Sequence, residues 1–301
     1  MPNRTIGPIA LLILALATSF AFGQQPKQKR TKHPPISNAY KQELYTLRYK
    51  PQVGTTLYDA ETVVTHHLEN GVQFPIVSRA QLAFKNLSVD LNGDTWSFER
   101  YFTHLTTIDR DTTIKEIGAV NKVTRLKYSM IGGMLEREDV DTVVLSEDAQ
   151  FLSYFFRAPR MLLPLPEQIV TYGATWEDAG IDTIHVPGGT FIYNSHYKYT
   201  FAGVKDTLGS IAAIITADQT GTFAGEQQKP GEERLIFHGP ITGADTTYLN
   251  LFSGKVVLRI STAGIPVKVE SQEGLSSSDI LAVRSVYTVN NSNVRTNIRR
   301  H

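Results

Sequence analysis

The sequence contains no cysteine among its 301 residues. That absence excludes a disulfide scaffold, a thiol nucleophile, a cysteine-ligated metal and the acylated cysteine of a lipoprotein. The sequence also lacks an excess of either charge, because it contains 30 Lys and Arg and 29 Asp and Glu. The resulting formal charge of +1 argues against nucleic-acid binding. No G-x-S-x-G, H-E-x-x-H or phosphate-loop motif occurs. We therefore assign no catalytic residue, metal or cofactor, and a non-enzymatic role is favoured over an enzymatic one.

The first 23 residues have the pattern of a secretory signal peptide. Arg4 supplies the positive start, an apolar run follows at 9–22, and Ala21-Phe22-Gly23 predicts cleavage before Gln24. No later apolar run approaches the ~18 residues of a membrane span. We expect a bacterial protein exported to the periplasm or to the cell surface or exterior, soluble after cleavage and with at most peripheral membrane contact. An uncleaved membrane anchor is the alternative.

Most of the remaining chain has the patterning of β-strands. Residues 95–102 alternate apolar and polar side chains, and Asn70-Gly71 and Asn92-Gly93 favour hairpin turns in which both central residues need φ > 0. One helix is predicted from Ser146 to residue 156, before Pro159. The predicted fold class is all-β with one short helix, as a large antiparallel sheet, half-barrel or sandwich.

A short internal match indicates that this β region is duplicated. Residues 54–60 (GTTLYDA) resemble residues 173–179 (GATWEDA), and the same offset aligns His66 with His185. The predicted organisation is a signal peptide at 1–23, a disordered basic linker at 24–42, a first β unit with a terminal helix at 43–156, a connector at 157–168, a second β unit at 169–290 and a basic tail at 291–301.

Two short motifs, one at the start of each unit, carry a resemblance to known proteins. Leu47-Arg-Tyr-Lys-Pro-Gln-Val-Gly54, and Leu165-Pro-Glu-Gln-Ile-Val-Thr-Tyr-Gly173 followed by Trp176, resemble the "RYKPxxG" start and "LPxxxVxxGxxW" restart of a group of secreted bacterial proteins of unknown function. Ile169-Val170 and Tyr172 make the second match a loose one. The resemblance spans most of residues 43–290 and transfers no catalytic residue. It implies, by analogy, a curved antiparallel half-barrel of the lipoprotein-carrier type.

The most conspicuous candidate binding surface is an aromatic stripe. Phe191 and the predicted ligand-binding residues Tyr193, Tyr197, Tyr199 and Phe201 occupy odd positions of one strand, so their side chains share a face. Such a face either lines a groove or forms the core beneath another layer. The preferred function is a non-catalytic binding or assembly module of the envelope, with an apolar groove for a lipid or an envelope partner.

Two other classes of function stay open. A hydrolase acting on an envelope polymer would use paired carboxylates, for which Asp59 and Asp178 are the candidates through their matched places in the duplication. A structural surface protein would instead present a flat exposed face that self-associates. His66 and His185 would approach each other if the two units were related by pseudo-symmetry, and they could then share a metal ion. The alternative is that both are ordinary histidines on the face of a sheet.

Overall fold

A computed structural model describes residues 43–68, 71–90, 93–143, 145–146, 161–271, 274 and 276–290. The predicted signal peptide, basic linker and basic tail lie outside these residues. So does the predicted helix, apart from Ser146. No helix in the described part of the chain is long and apolar enough to cross a membrane.

The described chain forms one antiparallel sheet of twelve strands. The strands are β1 (Gly54–Leu68), β2 (Gln73–Val89), β3 (Thr95–Asp109), β4 (Thr112–Lys115), β5 (Thr124–Ser129), β6 (Met134–Asp139), β7 (Thr175–Val186), β8 (Gly189–Thr207), β9 (Ser210–Gln227), β10 (Leu235–Asn250), β11 (Val256–Ser271) and β12 (Ser276–Asn290). Between β4 and β5 the chain makes a 3-10 helix at Ile117–Ala119. The sheet order is β6-β5-β3-β2-β1-β12-β11-β10-β9-β8-β7, and β4 pairs with the far end of β3. The all-β prediction is thus confirmed.

Alternation of side chains gives the sheet an inner and an outer face. Along β8, buried and more exposed residues alternate for most of the strand, because successive side chains of a strand point to opposite faces. Register shifts between Gln81 and Leu82 and between Phe201 and Gly203 add local bends to two of the strand pairs.

The core shows that the sheet curves strongly. One apolar cluster contains Phe98 of β3 and Tyr128 of β5 together with Phe201 of β8 and Val257 of β11. These strands lie far apart in the sheet order, so the two halves of the sheet face each other across the cluster. A second cluster joins Val64 of β1 with residues of β2 and of β7 to β12. The sheet therefore wraps around its own side chains.

The two motifs that carry the family resemblance meet at one end of the sheet. Arg48 donates to the carbonyl oxygens of Pro166, at 2.6 Å, and of Glu167. The Tyr49 hydroxyl donates to the Leu163 carbonyl at 3.0 Å, and the Trp176 indole N–H donates to the Pro164 carbonyl at 2.9 Å. These bonds hold the described part of the connector across the interior, where its apolar side chains join the first cluster. In this structure both motifs are architectural.

The two predicted units belong to one continuous sheet. Strand β1 pairs with β2 and also with β12, so the first and second halves are joined by a full ladder of backbone hydrogen bonds. Gly54 and Gly173 both have positive φ shortly before or at the start of a long strand, as the sequence match suggests. The matched side chains nevertheless point to opposite faces, because Asp59 lies on the outer face and Asp178 faces inward. The duplication itself stays a prediction.

Candidate functional site

A cavity of about 320 Å³ lies between the two ends of the sheet. One wall comes from β5 and the turn that leads into β6, and the other comes from β7 and β8. Within the described residues, β6 and β7 each pair along one side only, so the cavity occupies the gap between two unpaired sheet edges. Met134 and Ile181, on opposite sides of this gap, are both exposed. The cavity therefore opens to solvent between the edges.

The inner wall of the cavity carries a buried ion pair. Arg259 of β11 is 3% exposed, and its Nε and Nη2 lie 2.7 and 2.6 Å from Asp245 Oδ2. Burial opposes the charge of Arg259, but Asp245 outweighs that effect and holds the pKa of Arg259 above its ordinary value. Thr247 Oγ1 donates to the other carboxylate oxygen of Asp245 at 3.1 Å. The pair holds the guanidinium in place at the cavity wall.

Tyr128 and Arg259, which belong to the cavity lining, each carry a polar atom without a hydrogen-bond partner in the described part of the chain. These atoms, the Tyr128 hydroxyl oxygen and Arg259 Nη1, are buried and have almost no accessible surface, so they do not face the opening. Burial raises the pKa of Tyr128 well above its ordinary value, so the hydroxyl keeps its proton at neutral pH. Buried polar groups in folded proteins are normally paired, and an unpaired one costs about 1–3 kcal/mol.

Strand β7 brings two carboxylates to the opposite wall. Asp178 and Asp182 lie on the inward face of β7, across from Tyr197 and Tyr193 in the register with β8. Burial raises the pKa of the Asp178 carboxyl above its ordinary value, and the Ala179 N–H and His196 offset this only in part. The β7 wall of the cavity thus carries two carboxylates.

The predicted aromatic stripe is mainly core. Phe201 is fully buried and packs against Tyr45, with ring centroids 5.2 Å apart. Tyr193 is also buried, and its hydroxyl accepts a hydrogen bond from Gln219 Nε2 at 2.9 Å. Tyr197 and Tyr199 belong to the cavity lining but are almost fully buried, and their role in ligand binding stays a prediction. Two of the four predicted residues therefore reach the cavity.

The cavity also corrects the prediction of an apolar groove. Its lining places the ionisable side chains of Asp178, Asp182 and Arg259 beside apolar ones such as Leu162. Away from this gap, the interior holds the two apolar clusters and also buried polar side chains such as Gln219 and Ser285, which line a smaller recess together with Arg259. The space available to a ligand here is accordingly mixed in character and limited in size.

The predicted carboxylate pair is not assembled. Asp59 lies on the outer face of β1, where it accepts hydrogen bonds from Gln81 Nε2 at 3.0 Å and from Asn290 Nδ2 at 2.8 Å. Asp178 lines the cavity on the inner face of β7. The two carboxylates are thus on opposite faces of the sheet and do not flank a common cleft.

The matched histidines are likewise separated. His66 lies on the inner side of the sheet, with its Nδ1 2.9 Å from Asp279 Oδ2, whereas His185 is exposed and contacts Thr190 Oγ1 at 3.3 Å. No group of three or more His, Asp or Glu residues in the described ranges could hold a metal ion. The pairing of His66 with His185 on one metal is therefore wrong.

Sequence reasoning missed the residues that shape this site most. Tyr128 and Arg259 sit in ordinary alternating strands without any motif, and more than a hundred positions separate them. Only the strand order brings both to one cavity. One local feature could have pointed to Arg259. It occupies an inward-facing position of its strand, where the alternating pattern leads one to expect an apolar residue.

Comparisons with known proteins add little to this geometry. No family model and no curated protein match the sequence. Among solved structures, a mutant porin of Rh. blastica is 14% identical, with 78% of this chain and 100% of the porin covered and a TM-score of 0.22. A candidate lipoprotein from Parabacteroides distasonis is 11% identical over 80% of this chain and 95% of its own, with a TM-score of 0.23. The beta domain of the Bordetella autotransporter Brka is 9% identical, with 79% of this chain and 99% of that domain covered and a TM-score of 0.19. Scores this low carry no functional argument.

Proposed function

We propose that this protein is an exported, non-catalytic binding protein of the bacterial envelope or exterior, and that its ligand occupies the cavity between β6 and β7. The observation that carries the proposal is the cavity itself, an opening of about 320 Å³ lined by aspartate, tyrosine and apolar side chains between the two unpaired edges of the described sheet. This volume is at the lower end of the range typical of small-molecule sites. Export is supported by the signal-peptide pattern of the first 23 residues.

The size and lining of the cavity favour a small polar ligand over a lipid. A lipid chain needs a continuous apolar channel, whereas this cavity places Arg259 and two aspartates along its walls. Burying an apolar chain against these groups would remove water from them without supplying hydrogen bonds. We therefore place a lipid second among the ligands of this site.

The geometry gives the hydrolase alternative less support. The two inward carboxylates of the cavity, Asp178 and Asp182, are four residues apart on one strand, which separates their backbones by about 13 Å at ~3.3 Å per residue. Paired carboxylates of glycoside hydrolases lie about 5–9.5 Å apart. Binding is accordingly the function that this arrangement supports best.

Native mass spectrometry of the mature protein, purified from its exported form, tests the proposal. We expect a stoichiometric mass increment that is lost on denaturation. Gly180 lines the cavity, and a Cβ built on it meets no atom within 4 Å. Gly180→Trp should therefore fill the cavity and abolish the increment. Ile192→Trp, on the outer face of β8 where Ile192 is 47% exposed, should retain it.

The other outcomes separate the alternatives. A bare mass in every preparation, together with no saturable binding of added small molecules, would contradict the proposal. An increment that Gly180→Trp retains would place the ligand elsewhere and would contradict it as well. Self-association of a bare protein would instead support the structural surface protein.

A further inference from the structure

The free edge of β7 differs from the other edge of the sheet that the described residues form. Strand β6 is six residues long and has four consecutive charges from Glu136 to Asp139, of which Glu136 and Glu138 pair with Lys127 and Arg125 of β5. Short length and charge are two of the means by which proteins keep edge strands from pairing with other chains. Strand β7 has twelve residues, contains no Lys, Arg or Pro, and shows no register shift against β8. It therefore presents a long and regular edge.

The middle of this edge is accessible to solvent. Residues 177–181 are all exposed, and a Cβ built on Gly180 meets no atom within 4 Å. Ile181 is 71% exposed, although it is a large apolar side chain in the middle of a strand. A long exposed edge of this kind is a template on which another chain adds a strand through backbone hydrogen bonds.

The spacing of residues in β7 limits the ways in which the strand can pair with its own copy. Most homodimers have a two-fold axis, and two-fold pairing of a strand with itself is antiparallel. Opposite side chains lie on the same face of a sheet, so the axis must pass through a residue and not between two residues. Because β7 covers residues 175–186, only an axis at Gly180 (pairing 175–185) or at Ile181 (pairing 176–186) uses eleven residues of each strand.

Charge selects the axis at Ile181. An axis at Gly180 would place Asp178 opposite the partner's Asp182, and like charges in opposite positions destabilise a strand pair. An axis at Ile181 instead places Glu177 opposite the partner's His185, and it does so twice because of the symmetry. The same axis brings the two exposed Ile181 side chains together. Apolar pairs and pairs of opposite charge both stabilise neighbouring strands.

Glu177 and His185 can form this pair while keeping the contacts within their own chain. His196 Nε2 lies 3.3 Å from Glu177 Oε2 at an exposed position, and a carboxylate accepts several hydrogen bonds through its two oxygens. His185 is exposed and contacts Thr190 Oγ1 through Nδ1, a contact that does not use Nε2. Both side chains lie on the outer face of β7, as does Ile181.

We propose that two copies of this protein form a two-fold dimer in which their β7 strands pair antiparallel around Ile181. The sheet then continues from one subunit into the other. Residues 178–182 line the cavity and also form the middle of the β7 edge, so the dimer brings two cavities to the two-fold axis. Each cavity thus has the partner's β7 at its rim.

Cysteine cross-linking tests the position of the axis, because the natural sequence contains no cysteine. Ile181→Cys places two thiols on directly opposite residues, whose Cα atoms are about 4.5–5.5 Å apart in an antiparallel pair. Disulfides span Cα distances of about 4.4–6.8 Å. We expect mild oxidation to convert most of the Ile181→Cys protein into a covalent dimer on a non-reducing gel.

Ala179→Cys and Thr183→Cys are the matched controls, since both positions are exposed on the same face of the same strand. With the axis at Ile181, each introduced thiol lies four residues along the strand from its symmetry mate. That separation is about 13 Å at ~3.3 Å per residue, which is too far for a disulfide. We expect neither control to cross-link.

Charge reversal tests the same register in the non-covalent dimer. In sedimentation equilibrium, Glu177→Lys and His185→Glu should each raise the dissociation constant by about tenfold, because each puts like charges in opposite positions twice per dimer. The double variant should restore it to within about threefold of the natural protein. Glu61→Lys is the control, since Glu61 is an exposed carboxylate on β1, a strand that is paired on both sides.

Four results would overturn the proposal. They are a monomer throughout the micromolar range, cross-linking of either control in place of Ile181→Cys, no recovery in the double variant, and open-ended assemblies, which would indicate that β6 pairs with β7 of the next copy. Native mass spectrometry resolves a second subunit and a bound small molecule as separate increments. Failure of the dimer is therefore distinguishable from failure of the binding function.

Discussion

Removing the negative partner of the buried ion pair should strongly destabilise the protein. Arg259 is 3% exposed, and two of its nitrogens reach a single oxygen of Asp245 at 2.6 and 2.7 Å. Asp245→Asn keeps the shape of the side chain but leaves the guanidinium charge uncompensated in the interior. Breaking a buried pair in this way costs about 3–5 kcal/mol. At about 2–4 °C per kcal/mol for a chain of this size, Tm should fall by about 6–20 °C.

Urea unfolding followed by tryptophan fluorescence, with the free energy of unfolding extrapolated to water, measures this loss directly. The exposed pair between Arg79 and Glu61, at 2.9 Å, provides the control. Both of its side chains are accessible to solvent, so Glu61→Gln should cost less than about 1 kcal/mol. The contrast between the two substitutions isolates the effect of burial.

A double substitution separates the loss of the attraction from the cost of an isolated charge. Asp245→Leu combined with Arg259→Met removes both charges, and replacing buried pairs by apolar residues is often neutral or stabilising. We expect the double variant to be more stable than Asp245→Asn alone. A cost below about 1 kcal/mol for Asp245→Asn would refute the reasoning, because it would mean that Arg259 does not depend on Asp245 for compensation.

Three further substitutions test other features of the structure. Tyr128→Phe should leave the ligand-free protein equally stable or more stable by about 1–2 kcal/mol, because it removes a buried unpaired hydroxyl. A clear loss of stability in urea unfolding would show that the hydroxyl has a hydrogen-bond partner. Asp178→Asn should raise Tm at pH 7, because burial raises the pKa of Asp178 in the folded state and its ionisation then opposes folding. The gain should vanish below about pH 4, where the carboxyl is protonated in both states, and a pH-independent gain would contradict this cause. Gly221→Ala should lower the free energy of unfolding in urea by about 1–3 kcal/mol, since the new Cβ would lie 2.0 Å from the Asn194 carbonyl oxygen. Gly264→Ala should cost less, because a Cβ at that position has no atom closer than 3.9 Å. Similar losses in the two variants would contradict the close packing of Gly221 against Asn194.

The strand content could be predicted because it depends on local information. Alternation of apolar and polar residues at 95–102 and along β8 reflects the two-residue repeat of a strand, and the structure confirms strands at both places. Positive φ at Gly71 and Gly93 likewise agrees with the two hairpin turns that the Asn-Gly pairs predicted. These features depend on neighbouring residues alone.

The placement of Asp59 and Asp178 could not be predicted in the same way. A match in sequence does not define which face of a sheet a residue occupies, because a shift of one position in a strand reverses every side chain. Asp59 accordingly points outward to Gln81 and Asn290, while Asp178 points into the cavity. The hypothesis of a carboxylate pair failed at this step.

The sequence by itself determined that the chain is all-β, that the odd residues of β8 share one face, and that no familiar catalytic motif is present. Tertiary structure alone decided that β1 pairs with β12, that β6 and β7 are the edges of the sheet formed by the described residues, and that Tyr128 and Arg259 belong to the lining of one cavity. The physical reason is the range of the interactions. Turns and strand alternation arise within a few residues, whereas strand order and curvature depend on packing between segments that are far apart in the chain.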